Sequence, residues 1–281
     1  MDPNPILPFA IKPLIWTPDR VFVSCSFGCP AKCVFCYLPE VAADQPTATT
    51  VTPQDLVMQI RADPRFQLGP NGTVLSLGCL TECLAPHSIK ATLNFLNALG
   101  PMENPVQIAT RWSPSSGDRE QLIAALQCRR SAIFHSMVEW GNHVLESGTP
   151  SARHRDHFIS RISASGIPSI LYIKPFIPNH TERFTRAFIE LALHYKIRHA
   201  VIGRFYVTSR YSDVSFLHRN QPQSARFIQA EFPVGPTPPR EPSNNMAVAA
   251  MVAAFGRAGI LTTHHSLDAL REIYGQNNRT S

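Results

Sequence analysis

The chain has 281 residues, 26 Lys and Arg against 20 Asp and Glu, a formal charge of +6, and only 16% charged residues. Its 44% hydrophobic content can bury a sizeable core and excludes a disordered class. The longest apolar stretch, Met246 to Phe255, is about half a membrane span. No charged-then-apolar leader opens the chain, so a cytoplasmic protein is expected rather than a membrane or secreted one. The mild basic excess suits an acidic partner or a phosphate-bearing substrate and identifies neither.

In chain order, Val21–Ser24 reads as a first buried strand, and Gln54–Ala62 as a helix opened by Thr52 or Pro53. After the turn Gly69-Pro70-Asn71-Gly72, Val74–Leu77 is a strand and His87–Leu99 a helix ended by Gly100. Further strands are predicted at Val106–Ala109, Ala132–Val138, Ser169–Ile173 and Ala200–Gly203. Helices at Arg119–Gln127, His154–Ala164 and Glu182–His194 separate them. Near-continuous apolar strands alternating with helices imply a parallel sheet covered by helices. A closed eight-unit barrel takes about 250 residues, and residues 18–203 hold roughly six units. The expected fold is therefore α/β, an open, partial (β/α)6 TIM-like barrel. Its chemistry belongs at the C-terminal strand ends, in the loops after Ser24, Leu77, Ala109, Val138, Ile173 and Gly203.

Residues 1–17 read as an N-terminal extension, 18–205 as the barrel, and 206–281 as a C-terminal substrate-covering loop and helices that form a short α/β extension. Between Arg204 and Asn245 the pattern dissolves, with Pro233, Pro236, Pro238, Pro239 and Pro242 close together. Such a stretch is either a lid over the barrel mouth or a plain surface connection stiffened by proline. A helix at Asn244–Ala258, a strand at Ile260–Thr263 and a helix at Ser266–Tyr274 complete the chain.

Four of the seven cysteines crowd into Cys25-Ser-Phe-Gly-Cys29-Pro-Ala-Lys-Cys33-Val-Phe-Cys36-Tyr37, directly after the first strand. A disulfide scaffold would spread its cysteines over a smaller chain. Cys29, Cys33 and Cys36 are spaced C-x3-C-x2-C, and thiolates this close can converge on one soft metal centre. An ordinary [4Fe–4S] cluster takes four cysteines, so three would leave one iron open to an outside ligand. The other reading is a four-cysteine zinc knot that also uses Cys25, although such knots pair two knuckles across a longer loop. Under the cluster reading Cys25 is a small buried residue at a strand end.

This loop resembles the signature of the radical S-adenosylmethionine superfamily, with Phe35 as the aromatic residue before the last cysteine. The resemblance implies a partial barrel whose [4Fe–4S] cluster binds S-adenosylmethionine at the open iron. It also implies reductive cleavage to a 5′-deoxyadenosyl radical that abstracts hydrogen from a substrate, with an electron donor such as flavodoxin or ferredoxin. The runs Cys33-Val-Phe-Cys-Tyr-Leu38, Glu146-Ser-Gly-Thr-Pro-Ser151, Gly166-Ile-Pro168 and Pro175-Phe-Ile-Pro178 look specifically like the spore photoproduct lyase group. The likeness covers roughly residues 18–205, about two thirds of the chain.

Several positions carry over from that resemblance. Cys79 falls where a lyase cysteine returns a hydrogen atom to the product radical; an inert buried thiol is the other reading, and an auxiliary cluster on Cys79 and Cys83 would have too few ligands. Glu82 falls where relatives hold the methionyl ammonium, and Arg111 where they carry a base near the cofactor carboxylate. Ser136 matches a serine near the cofactor, and Glu146, on the loop after that strand, and Phe35 complete the cofactor-binding set that the resemblance implies. Phe35 replaces one of two tyrosines thought to relay a radical in the lyases, leaving Tyr37 for that role. The chain ends nearly uncharged where lyases carry a basic, aromatic tail, and Arg204, Arg210, Arg219 and Arg226 are an ordinary number for their span. DNA is therefore an open but unfavoured substrate, and a small metabolite is preferred. A non-catalytic module stabilised by zinc or an iron–sulfur cluster is the alternative from another class. His135, His143, His154, His157, His264 and His265 are candidate proton donors at the mouth without metal-ligand spacing.

Overall fold

The computed structural model describes residues 12–36, 38, 45–141, 144–177, 180–203, 227–229, 240–242 and 245–275. Strands β1 (Leu14–Trp16), β2 (Arg20–Val23), β3 (Ser26–Phe27) and β4 (Thr47–Ala48) lead into α1 (Pro53–Ala62), β5 (Val74–Leu77) and α2 (Ile89–Ala98). Next come β6 (Val106–Thr110), α3 (Ser116–Gln127), β7 (Ser131–Ser136), α4 (Ala152–Ala164), β8 (Ser169–Ile173), a 3₁₀ turn (Thr181–Phe184), α5 (Thr185–His194) and β9 (His199–Ile202). The described chain ends with β10 (Phe227–Gln229), β11 (Arg240–Pro242), α6 (Asn245–Arg257), β12 (Leu261–Thr263) and α7 (Ser266–Tyr274).

The main sheet runs β1-β2-β5-β6-β7-β8-β9-β12. Every neighbouring pair is parallel except β1 with β2. The two end strands do not pair with one another, so the barrel is open, as expected. Each local signal acts through ordinary chemistry. The Thr52 hydroxyl accepts the Asp55 N–H at 3.1 Å, and Pro53 needs no donor in the first turn of α1. Leu56, Val57 and Ile60 then fall on one face of that helix and are buried, each worth about 1.5–3 kcal/mol.

Alternation along the strands sorts the core into two layers. Val21, Val23, Leu75, Leu77, Val106, Ile108 and Ile133 pack outward under the helices, with Leu56, Leu93, Phe95 and Leu122. Val74, Ala132, Phe134, Ile170 and Val201 face inward and meet Leu267, Ala269 and Leu270 of α7. Polar ties fix α7 at the strands' N-terminal ends. Arg20 Nη1 and Gln107 Nε2 both donate to Ser266 Oγ, at 2.8 and 3.0 Å, and the Tyr274 hydroxyl donates to the Ser131 carbonyl at 2.7 Å. With that end closed, the opposite rim is left for a site.

The structure corrects four points of the sequence reading. The segment Leu261–Thr263, expected in a separate extension, pairs in parallel with β9 and belongs to the main sheet. Helix α7 closes the barrel floor instead of covering substrate, because its apolar face fits the inward side chains. Two short strands, β10 and β11, pair antiparallel where no strand was expected. Leu14–Trp16, placed in the N-terminal extension, adds an antiparallel edge to β2. Tyr37, His143 and the arginines between 204 and 226 lie outside the described residues. Among the described residues, no helix is long and apolar enough to cross a membrane.

Gly78 ends β5 with φ +96°, and a Cβ there would stand 2.2 Å from the Ala109 carbonyl oxygen of β6. Both the left-handed backbone and the contact require glycine. G78A should cost roughly 1–3 kcal/mol for the dihedral alone and more for the clash, read as a lower urea midpoint at unchanged slope. An unchanged midpoint would contradict this placement.

Candidate active site

The cysteine loop leaves the top of β2 and is held from both sides. On one side, Gly28 N–H donates to the Leu80 carbonyl at 2.9 Å, and Gly28 O accepts from Thr81 Oγ1 at 3.0 Å and from the Glu82 N–H at 3.4 Å. Gly28 has φ +80°, and a Cβ there would fall 2.0 Å from the Gln45 carbonyl oxygen, so only glycine lets the returning chain pass. Beneath this, the hydroxyls of Ser26, Thr81 and Ser88 form a buried triangle with edges of 3.1, 2.6 and 3.1 Å. Ser88 is thereby engaged with Ser26 and Thr81 just ahead of α2, which begins at Ile89 rather than His87. On the other side, Val34 N–H donates to the Leu145 carbonyl at 3.1 Å.

Cys29 and Cys36 lie half-buried with Cys79 against Leu38 and Leu80. Cys33 stands near enough for its charge to couple to both Cys29 and Cys36. Burial pushes the Cys29 thiol up to about 12, helped by the Glu82 charge and opposed by the Ala31 N–H and Arg111. Burial drives Cys33 higher still, with Arg111 again opposing. As the side chains stand, no three His, Cys, Asp or Glu among the described residues are drawn together in metal-binding geometry. Cys25 is separated from this group. It is buried in the outer core with Cys83, and burial alone pushes its thiol to about 12. A four-cysteine knot including Cys25 thus finds no support.

Glu82 is buried, and its carboxylate ties the end of β5 to the end of β6. Oε1 accepts the Thr110 hydroxyl and the Leu84 N–H (3.4 Å), and Oε2 accepts the Arg111 N–H at 2.8 Å. Burial raises its pKa, while these donors and Arg111 hold it back. Three donors use about three of the roughly four lone-pair positions of a carboxylate, leaving room for one more cation or donor.

Arg111 does not stand alone. Its Nε donates to Glu146 Oε1 at 2.6 Å, its Nη2 donates to the Lys174 carbonyl at 2.6 Å, and its Cζ lies 5.2 Å from the centre of the Phe35 ring. Glu146 is fully buried, and its second oxygen accepts Arg155 Nη1 at 3.0 Å. Arg155 Nη2 donates to the Ser136 carbonyl at 2.6 Å. Ser136 therefore enters this network through its backbone. The 145–146 segment is pinned by a second buried carboxylate, Glu139, which accepts the Leu145 and Glu146 N–H groups at 2.8 and 3.2 Å and faces His180 Nε2 at 3.1 Å.

The structure thus brings Cys29, Cys33, Cys36, Phe35, Cys79, Glu82, Arg111, Ser136 and Glu146 to the same end of the sheet. Glu139, Arg155 and His180 were missed by sequence reasoning. One signal was present: α4 has no acidic residue in its first turn but opens Ala152-Arg-His-Arg155, against the usual dipole preference. The histidines are not drawn together. His135 points outward to Ser169 Oγ (3.2 Å) and Phe158, His154 meets Ser151 Oγ at 2.8 Å, and His264 meets the Ile202 carbonyl at 3.1 Å.

Solved structures share this architecture. A spore photoproduct lyase mutant with dinucleoside spore photoproduct superposes with TM-score 0.65 at 13% identity, over 86% of this chain and 75% of that one. Another, with bound S-adenosylmethionine and the same lesion, gives 0.64 at 13% identity, over 86% and 75%. SuiB of Streptococcus suis bound to S-adenosylmethionine gives 0.57 at 13% identity, over 92% of this chain and 53% of SuiB, so the chain spans about half of that protein. No protein-family model and no curated protein matches the chain. The fold is an open, partial (β/α) barrel shared with those structures, as the alternation of strands and helices led one to expect.

His135 supplies a pH test of its outward, buried placement. Burial, and then the Arg155 charge, hold its pKa down at about 3. The unfolded chain takes up this proton near pH 6.5 and the folded chain does not, so stability falls as pH drops from there towards 3. H135Q should flatten the pH dependence of the urea midpoint in that window, removing up to about 4 kcal/mol of acid destabilisation. A slope identical to wild type would contradict a neutral, buried His135.

Proposed function

We propose that the chain is a radical S-adenosylmethionine enzyme whose Cys29, Cys33 and Cys36 hold a [4Fe–4S] cluster with one iron left open. The observation that carries this reading is the clamped C-x3-C-x2-C loop at the C-terminal rim of a partial barrel. Its donor set suits the group, since three half-buried thiols on one loop favour a soft, thiophilic centre. When bound, the cluster supplies the electron that splits S-adenosylmethionine into methionine and a 5′-deoxyadenosyl radical.

The surrounding residues divide the remaining work. Glu82, with acceptor capacity left over, suits the methionyl ammonium. Arg111, anchored through Nε and Nη2, offers its remaining N–H edge to the methionyl carboxylate and its face to Phe35. Glu146 has both oxygens occupied by arginines, so it orients Arg111 rather than touching the cofactor. Cys79 packs, like Cys29 and Cys36, against Leu38 and Leu80, which supports its role as the thiol that returns a hydrogen atom to the substrate radical. Tyr37 adjoins the last ligand in sequence and is the proposed relay residue. Flavodoxin or ferredoxin fits as electron donor, and a small metabolite remains the preferred substrate.

Spore photoproduct lyase and SuiB are solved with a dinucleoside lesion and with a precursor peptide, respectively. The Cys79 placement favours, as a second reading, a nucleotide substrate handled as in the lyase. Binding of a dinucleotide or duplex that weakens steeply with salt would support it.

Anaerobic reconstitution should give a brown protein with close to four irons per chain that releases 5′-deoxyadenosine with S-adenosylmethionine and dithionite. C33A should lose both the iron and the product, while C79A should keep the iron and S-adenosylmethionine cleavage. A colourless, zinc-loaded wild-type protein would refute the proposal.

A further inference from the structure

If the cluster sits where that reading puts it, its electrical surroundings depend on a residue remote from it in the fold. Arg155 belongs to α4, on the outer layer, yet its side chain is buried and reaches inward beneath the 145–146 segment. There it donates to Glu146 Oε2 at 3.0 Å and to the Ser136 carbonyl at 2.6 Å, with Trp140 flanking its guanidinium at 5.7 Å. Glu146 passes the contact on to Arg111 at 2.6 Å, and Arg111 lies over Phe35, the neighbour of Cys36.

These three side chains carry two positive charges and one negative one, a net +1, in a setting where water screens little. We propose that Arg155 is a positioning residue for the cluster site. Through Glu146 it holds Arg111 over Phe35, and it sets the net positive charge that makes the cluster easier to reduce. The inference rests on the three-cysteine cluster reading and adds to it a residue that touches neither cluster nor cofactor. Reduction adds one negative charge to the cluster, so nearby positive charge raises its potential and its loss lowers it. Glu82 and Glu139 also carry charge in this region and are left unchanged in the variants below.

Charge counting predicts opposite signs for two substitutions in one contact chain. R155M leaves a neutral Arg111–Glu146 pair, and the cluster potential should become more negative. E146Q leaves two cations, and the potential should become less negative. The double variant E146Q/R155M restores a net +1 and should return towards wild type, and R155K should stay close to it. The full chain is reconstituted anaerobically, its iron and melting curve are recorded, and the potential is titrated by electron paramagnetic resonance. A purely structural role would move both single variants the same way, through looser loops or lost iron. Shifts in the same direction, or no shift, in iron-loaded single variants overturn the inference while leaving the cluster reading intact. If a single variant cannot hold iron, the double variant and R155K decide, and a double variant far from wild type overturns it. A wild-type chain that takes up no iron refutes the cluster reading and this inference together.

Discussion

The Glu146 carboxylate, fully buried between two guanidinium groups, is the contact on which the geometry of the rim depends. It joins α4 through Arg155 and the loop after β6 through Arg111. Those arginines in turn reach the Ser136 and Lys174 carbonyls and the Phe35 ring. Five separate chain segments therefore meet around one anion. Buried ion pairs add little net stability, because desolvation offsets the attraction. Their effect is to specify one arrangement, since removing one partner strands a buried charge. Here that specificity falls on the loop that carries the cysteines.

The same logic explains why the cysteine loop stays in place with thiols that resist ionisation. Backbone contacts at Gly28 and Val34 anchor its two flanks. Burial keeps Cys29 and Cys33 protonated, so assembly of the proposed cluster would expel protons, with the Arg111 cation in its favour. Glu82 counters that cation and keeps the site polar on its β5 side. With the opposite end of the barrel filled by Leu267, Leu270 and Tyr274 of α7, the rim is the end left for the proposed chemistry.

Much of this was legible in the sequence. Strands such as Val74–Leu77 and Ser169–Ile173 are short, apolar and bounded by turn residues, and they fall where expected. The C-x3-C-x2-C spacing identifies its own loop because covalent chain length limits where three thiols can go. Helix α7 was placed correctly along the chain but not in space, because an amphipathic pattern shows that a face is buried and not which surface buries it. The role of Glu146 was hidden for a similar reason. Its partners Arg111 and Arg155 are 35 and 9 residues away, and only the folded sheet shows that both its oxygens are taken. Arg155 itself reads as an ordinary surface cation until α4 is laid against β7.

Three-cysteine ligation is the claim on which the proposed chemistry stands, and Mössbauer spectroscopy of the reconstituted protein tests it directly. Adding S-adenosylmethionine should shift the signal of one iron in four while the other three stay unchanged. Four irons that all remain alike when the cosubstrate is bound would mean that no iron is open, and would contradict it.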